Sequence, residues 1–174
     1  GADALSMRAL ALRLDSGTAT LYRHFADRTE LIVRIIDRVF GEVELAAEDL
    51  DSMSWQESCR AVGHAMFGAL SQHRNVTPLL VELVPVGPNA MKLRERCLAI
   101  FLHNGFAPKL AARSWATLAH YVLGFAIQLN SDSSGRVSPE RLSAVFHGLD
   151  ASEFPATGAV ADAMPVPLEE EFAF

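Results

Sequence analysis

The sequence is poor in several features that would define other classes of protein. It has two cysteines among 174 residues, and no apolar run approaches the roughly 20 residues of a membrane span. Nothing resembles a signal peptide, an internal repeat or a strand-period segment. Membrane-spanning and disulfide-framework proteins are therefore excluded. We expect a cytoplasmic protein in which Cys59 and Cys97 are core thiols rather than a disulfide.

Patterns that would indicate catalysis or metal binding are also missing. The spacing of the six histidines contains no i,i+4 pair and no HExxH motif: His24, His64, His73, His103, His120 and His147. The segment Tyr22–His24 crowds reactive side-chain types, but a short exposed helix offers no water-excluded set of nucleophile, base and orienting group. We therefore predict no enzyme activity, no metal and no cofactor.

The charge that is present is divided unevenly along the chain, whose net charge is −6. Residues 1–40, which we call the head, hold six Arg and five acidic residues, a net charge of +1. Residues 41–174, the body, hold nine Lys and Arg and sixteen acidic residues, a net charge of −7. An acidic body disfavours non-specific coating of nucleic acid, so any contact with DNA is expected through the head alone.

The head begins with a pattern typical of two short helices and a tight turn. Ser6 is a good N-cap for a helix over Met7–Leu14, Asp15–Gly17 supplies turn formers, and a second helix is expected over Thr18–Phe25. We expect a small core beneath the pair, formed by Leu10, Leu14, Leu21 and Phe25. Such a pair forms a helix-turn-helix unit whose second helix enters the major groove. A surface helical hairpin is the alternative that the pair alone leaves open.

The following residues add a third feature. Asp27–Glu30 is a capping-box pattern that opens a long apolar-striped helix, expected from Arg28 to about Leu50. Together these segments resemble the TetR family of transcriptional repressors, in the blocks Ser6–Ala11, Thr20–Phe25 and Arg28–Leu31. The tail, residues 168–174, resembles the start of the final dimerisation helix in the tetracycline-repressor-like branch. Asp15 departs from the family's usual Gly, and Arg28 from its usual Lys.

The resemblance implies an all-α fold with a helix-turn-helix head, residues 1–40, and a larger helical-bundle body for ligand binding and dimerisation, residues 41–174. It implies a homodimeric repressor on a near-palindromic operator, released by a small, largely apolar effector. It also implies that the first helix of the head and part of the last helix are missing from this sequence. The alternative is a helical adaptor that binds another protein and not DNA.

The head residues divide by their chemistry. Four side chains have donors suited to phosphates: Thr20, Tyr22, His24 and Arg28. Guanidinium groups can meet guanine edges bidentately, which makes Arg8 and Arg23 candidates for reading bases. Thr18 and Ala19 are candidates for contacts with base edges or a thymine methyl. For His24, a purely structural role is the alternative.

The body shows helical periodicity throughout. We expect helices at about 54–73, 75–84, 88–104, 108–129, 138–149 and 154–164. The apolar surface of the 108–129 helix is too wide for one core, which indicates burial against a partner subunit or inside a monomeric bundle. Bulky side chains with a few polar tips could enclose an effector pocket: His64, Phe67, Leu70, Leu80, Leu83, Phe101, His103, Leu118, His120 and Phe125. Glu44 stands where tetracycline-binding members have a histidine, so we expect neither tetracycline nor magnesium.

Overall fold

The computed structural model describes residues 5–45, 53–130 and 137–173, and these ranges contain helices and no strand. The all-α prediction is confirmed. The helices are α1 Met7–Arg13, α2 Thr18–Tyr22, α3 Arg28–Phe40, α4 Trp55–Gln72, α5 Thr77–Glu82, α6 Pro88–His103, α7 Pro108–Asn130, α8 Pro139–His147, α9 Pro155–Val160 and α10 Leu168–Ala173. The chain forms two compact units, Gly1–Asn130 and Ser131–Phe174. The division between head and body at residue 40 stays a prediction.

The turn between α1 and α2 depends on Asp15. The Ser6 hydroxyl accepts a hydrogen bond from the Ala9 N–H at 3.1 Å, as expected of an N-cap. At the other end of α1, Asp15 adopts a φ of +48°, in the left-handed region that side chains other than Gly, Asn and Asp rarely occupy. Aspartate thus serves in the turn where the family usually has Gly. Helix α2 ends at Tyr22, three residues before the predicted end.

The small core of the head differs in one member from the prediction. Its buried residues are Met7, Ala11, Leu21 and Leu31, with Leu5, Leu10, Phe25 and Ile35 packed around them. The prediction that Leu14 joins this core is wrong, because Leu14 is 59% exposed. It occupies the C-cap of α1, where the chain leaves the helix before the turn at Asp15.

Helix α3 starts as predicted and ends earlier. The Asp27 carboxylate accepts the Glu30 N–H at 2.8 Å, and the Glu30 carboxylate accepts the N–H of Ala26, one residue before the expected capping-box partner. That backbone hydrogen bond from Ala26 is the main reason why the pKa of Glu30 is lowered. The predicted extension to Leu50 is wrong: Gly41 caps the helix, and the chain turns there. Residues 46–50 lie outside the described ranges.

The helices after α3 follow the sequence pattern closely. The capping box of Ser54 and Glu57 opens α4, and Gly105, with a φ of +81°, follows the end of α6. On α6 the buried face consists of Ala90, Leu93, Cys97 and Phe101. Met91 lies beside this stripe and is 43% exposed. Both cysteines are free thiols, and burial raises the pKa of Cys97 to about 12.

The second unit contains α8 and α9, a 3-10 turn at Ala161–Ala163, and α10. The Ser138 hydroxyl caps α8 by accepting the Arg141 N–H at 3.3 Å. At the end of α8 the two ring nitrogens of His147 lie 2.8 Å from an Asp162 carboxylate oxygen and 2.8 Å from the Ser143 carbonyl. The hydrogen bond with Asp162 is the main cause of a raised pKa at His147. This contact ties α8 to the 3-10 turn.

Because the turn requires a positive φ, we expect Asp15→Val to destabilise the α1–α2 pair by about 1–2 kcal/mol, the cost of a left-handed L-residue. Asparagine tolerates the same conformation, so Asp15→Asn is the matched control and should change stability by less than about 0.5 kcal/mol. Hydrogen exchange of the α1 and α2 amides measures this local stability. Equal protection in the two variants would contradict the role given to Asp15.

Candidate functional site

The polar residues predicted on α2 and beside it lie on the surface. Tyr22 is 56% exposed, and Thr20 is half-buried. The other exposed members of the predicted set are Arg8, Thr18, Ala19, Arg23 and His24. Leu21, on the opposite side of α2, is buried in the head core, so the core fixes the helix and leaves this polar set facing outward. Hydroxyl, guanidinium and imidazole groups on one exposed surface are suited to contacts with phosphates and base edges.

Arg28 has a different setting from the rest of the set. Its Nε donates to the Leu5 carbonyl at 2.8 Å, and the side chain is half-buried. This hydrogen bond links the first turn of α3 to the residue that precedes the N-cap of α1. Arg28 thus has a structural contact in addition to the phosphate contact proposed for it.

A cavity of about 740 Å³ lies among α3, α4, α5, α6 and α7. Its volume falls within the range typical of small-molecule sites, about 300–1,000 Å³. The lining is largely apolar, and Arg94 and His120 are its basic side chains. The full lining is Phe40, Met66, Leu70, Leu80, Val81, Leu83, Val84, Pro85, Ala90, Arg94, Trp115, Ala116, Ala119, His120, Leu123, Gly124 and Ile127.

Four of the predicted pocket residues lie in this lining: Leu70, Leu80, Leu83 and His120. The structure places the others outside it: His64, Phe67, Phe101, His103, Leu118 and Phe125. Phe101 instead stacks with Trp55 and Phe106, at ring-centroid distances of 6.5 and 5.2 Å. Phe125 packs on Tyr121 at 4.9 Å. Phe101 and Phe125 thus belong to aromatic clusters outside the cavity lining.

Most of the lining residues on α7 were not predicted from the sequence; His120 is the exception. Helix α7 lines the cavity with one stripe, 115, 116, 119, 120, 123, 124 and 127, which is the spacing of a single helical face. The helical spacing of these seven positions could have been recognised in the sequence. It was obscured because the helix is apolar over most of its circumference. Phe40 and Arg94 gave no such signal, because they join the cavity from helices distant in sequence.

The carboxylate of Asp37 connects α3 to the helix that carries Arg94. Its Oδ1 accepts the N–H groups of Asn89 and Ala90 at 2.9 and 3.0 Å, and the Asn89 side-chain amide donates to Oδ2 at 3.1 Å. Gly87, the N-cap residue of α6, has no side chain of its own to cap that helix. Asp37 is buried and supplies the cap from another helix, where a negative charge also favours the helix dipole.

The site therefore combines an exposed polar helix, an apolar cavity and one helix, α3, that reaches both. Family models agree with this arrangement. Residues 1–35 match the model described as bacterial regulatory proteins, tetR family, and residues 48–174 match the tetracyclin repressor-like C-terminal domain. The chain belongs to the TetR family. The family predicted from the head motifs is thus confirmed; TetR-family members are transcriptional regulators, and dimerisation is typical of them.

Individual TetR-family proteins are similar over much of the chain. A transcriptional regulator from Saccharopolyspora erythraea is 31% identical over 124 residues, 71% of this chain and 52% of its own length. The repressor DrrR1 from Streptomyces coeruleorubidus is 28% identical over 72% of this chain and 46% of its own length. The match thus spans about half of these relatives. The structure of ActR from Streptomyces coelicolor in complex with actinorhodin superposes with a TM-score of 0.84 at 29% identity, covering 99% of this chain and 83% of ActR.

Two features are absent from the described residues. None of the described helices combines the length and the apolarity that crossing a bilayer requires. Across residues 5–45, 53–130 and 137–173, no three His, Cys, Asp or Glu side chains cluster as metal ligands would. The TetR family is one of regulators rather than enzymes.

The Asp37 cap leaves no room for a side chain at Gly87, because a Cβ there would overlap the Asp37 carboxyl group. We expect Gly87→Ala to lower the free energy of unfolding by about 1–3 kcal/mol, as overpacking does. The matched control is Gly68→Ala on α4, where a Cβ meets nothing within 4 Å and alanine should stabilise the helix by about 0.5–1 kcal/mol. Urea unfolding measures both; the same sign for both variants would contradict this account.

Proposed function

We propose that this protein is a ligand-responsive transcriptional repressor that binds a near-palindromic operator as a homodimer in the cytoplasm. The observation that carries the proposal is the position of α3. Its first turn contacts Leu5, beside α1, through Arg28, and its last residue, Phe40, is part of the cavity wall. A ligand that displaces Phe40 therefore acts on the helix that positions the DNA-binding surface.

The DNA contact is assigned to the exposed set on and beside α2. Thr20, Tyr22, His24 and Arg28 bond phosphates, Arg8 and Arg23 read guanine edges, and Thr18 and Ala19 touch other base edges. Exposure of Tyr22 and His24 supports this assignment, since side chains packed inside the bundle could not reach DNA. Phosphate contacts make the affinity fall steeply with salt.

The homodimer is assigned to α7. Ala112 is an exposed small residue that allows close approach of another helix, and Leu110 on the same helix is 50% exposed. Dimerisation is typical of the family. Two heads related by a two-fold axis would require an operator with matching symmetry.

The effector is assigned to the cavity, whose apolar lining favours a largely apolar molecule. ActR, the similar protein from Streptomyces coelicolor, has been crystallised with actinorhodin. Ligand binding can release the operator only if the ligand has a higher affinity for the conformation that does not bind DNA. The coupling runs through α3, from Phe40 in the cavity wall to Arg28 in the head.

The proposal is tested by selecting genomic DNA fragments that the protein binds, and then titrating the bound fragment with apolar ligands. We expect a palindromic fragment and a ligand that weakens binding by about 5–150-fold, the usual range of allosteric coupling. The control variant Ala119→Phe fills the cavity, so it should bind the fragment and respond less to the ligand. A protein that selects no fragment would contradict the proposal, and a protein-interaction adaptor would give that result.

The selected fragment also tests the role of the exposed tyrosine. If the Tyr22 hydroxyl bonds a phosphate, Tyr22→Phe should weaken binding by roughly 3–10-fold, about one hydrogen bond. The chain has two tyrosines, and Tyr121→Phe is the matched control that should leave the affinity unchanged. Fluorescence anisotropy measures both dissociation constants. Equal affinities of Tyr22→Phe and the parent protein would contradict the phosphate contact of the Tyr22 hydroxyl.

A further inference from the structure

The two basic side chains of the cavity contrast with the rest of the body. Residues 41–174 carry a net charge of −7, yet none of the described lining residues is acidic. The basic members, Arg94 on α6 and His120 on α7, come from two different helices. A cavity with positive charge inside an acidic body favours a ligand of negative charge over a neutral or cationic one.

Arg94 is held in place without a carboxylate partner. One terminal nitrogen donates to the Pro85 carbonyl at 3.2 Å, and the other lies 3.2 Å from the Met91 sulfur. The side chain is half-buried, and no carboxylate that the structure describes forms an ion pair with it. Removing a guanidinium charge from water costs free energy unless partners compensate for it, and the described partners of Arg94 are a carbonyl and a thioether. An anionic group on a ligand would supply the partner.

The neighbours of Arg94 also prepare it for binding. The contacts with Pro85 and Met91 restrict the guanidinium, so less rotamer entropy is lost when a ligand binds. A guanidinium presents paired N–H groups that match the two oxygens of a carboxylate or sulfonate. His120 is exposed and also lines the cavity. Its ring can donate a second hydrogen bond.

We propose that the cavity recognises an apolar ligand with a single anionic group, such as a carboxylate or a sulfonate, which Arg94 binds. Trp115 and Phe40 are the aromatic members of the lining and favour a ligand with a ring system. This inference rests on the proposed function only in taking the cavity as a ligand site. It does not require that the ligand act on DNA binding.

Two fluorescent probes with the same ring skeleton test the inference. 8-Anilinonaphthalene-1-sulfonate carries one sulfonate, and N-phenyl-1-naphthylamine lacks it. We expect the parent protein to bind the sulfonate probe at least about tenfold more tightly, and Arg94→Gln to remove most of that preference, since a charge-assisted hydrogen bond is lost. Lys92→Gln, an exposed cation on the same helix, is the matched control and should change neither affinity.

Two additional variants make each outcome decisive. Arg94→Lys keeps the charge and loses the paired N–H groups, so it should retain part of the preference for the sulfonate probe. This variant replaces Arg94→Gln if circular dichroism shows that Arg94→Gln folds poorly. Ala119→Phe fills the cavity and should weaken both probes. Suppose that Ala119→Phe weakens the binding of both probes while the parent protein shows no preference for the sulfonate probe. The cavity is then still a ligand site, but the proposal of an anionic ligand is wrong. If Ala119→Phe changes neither affinity, the cavity is not the ligand site and both proposals on it fail.

Discussion

The contact between the Asp37 carboxylate and the first turn of α6 is the constraint on which the arrangement of the two sites depends. It joins the helix that leaves the head to a helix of the cavity wall, through N–H groups that would otherwise be unsatisfied. Because Asp37 is buried, water cannot replace it at low cost. The carboxylate needs the absence of a side chain at Gly87, so one aspartate and one glycine fix how α3 and α6 meet.

The charge distribution gives the head surface and the cavity different electrostatic preferences. The net positive charge of residues 1–40 favours DNA, and the acidity of residues 41–174 discourages other contacts with the same polyanion. Arg94 is an exception within the acidic part, and its position in an apolar lining gives it a role that a surface arginine would not have. Under the proposed function, the charge of the head would select where DNA binds, and the local charge of Arg94 would select the ligand of the cavity.

The sequence predicted those features that are local in the chain. The caps at Ser6, Ser54 and Ser138 were readable because the bonded groups lie within one helical turn, and the motif around Tyr22 indicated the family. The end of α3 was not readable, since its apolar stripe continues past the residue where Gly41 stops the helix.

Several residues of the cavity depend on contacts between distant parts of the chain and could not be predicted from the sequence. Phe101 and Leu80 are both large apolar side chains on helices. Only the tertiary fold decides that Phe101 packs in the core and that Leu80 borders the cavity. Asp37 has partners more than fifty positions away along the chain, and no periodicity records such a pair.

The early end of α3 has a mechanical consequence. A short, regular helix transmits rotation with little bending, and at 1.5 Å per residue about 14 Å of its axis separates Asp37 from Arg28. If Asp37 is the pivot, a tilt of about 14° moves the head end by about 3.4 Å, which equals the rise of one base pair per strand of DNA. In a symmetric pair of subunits both ends would move at once, so a small rotation at the pivot would be enough to place the two reading surfaces out of register with the operator.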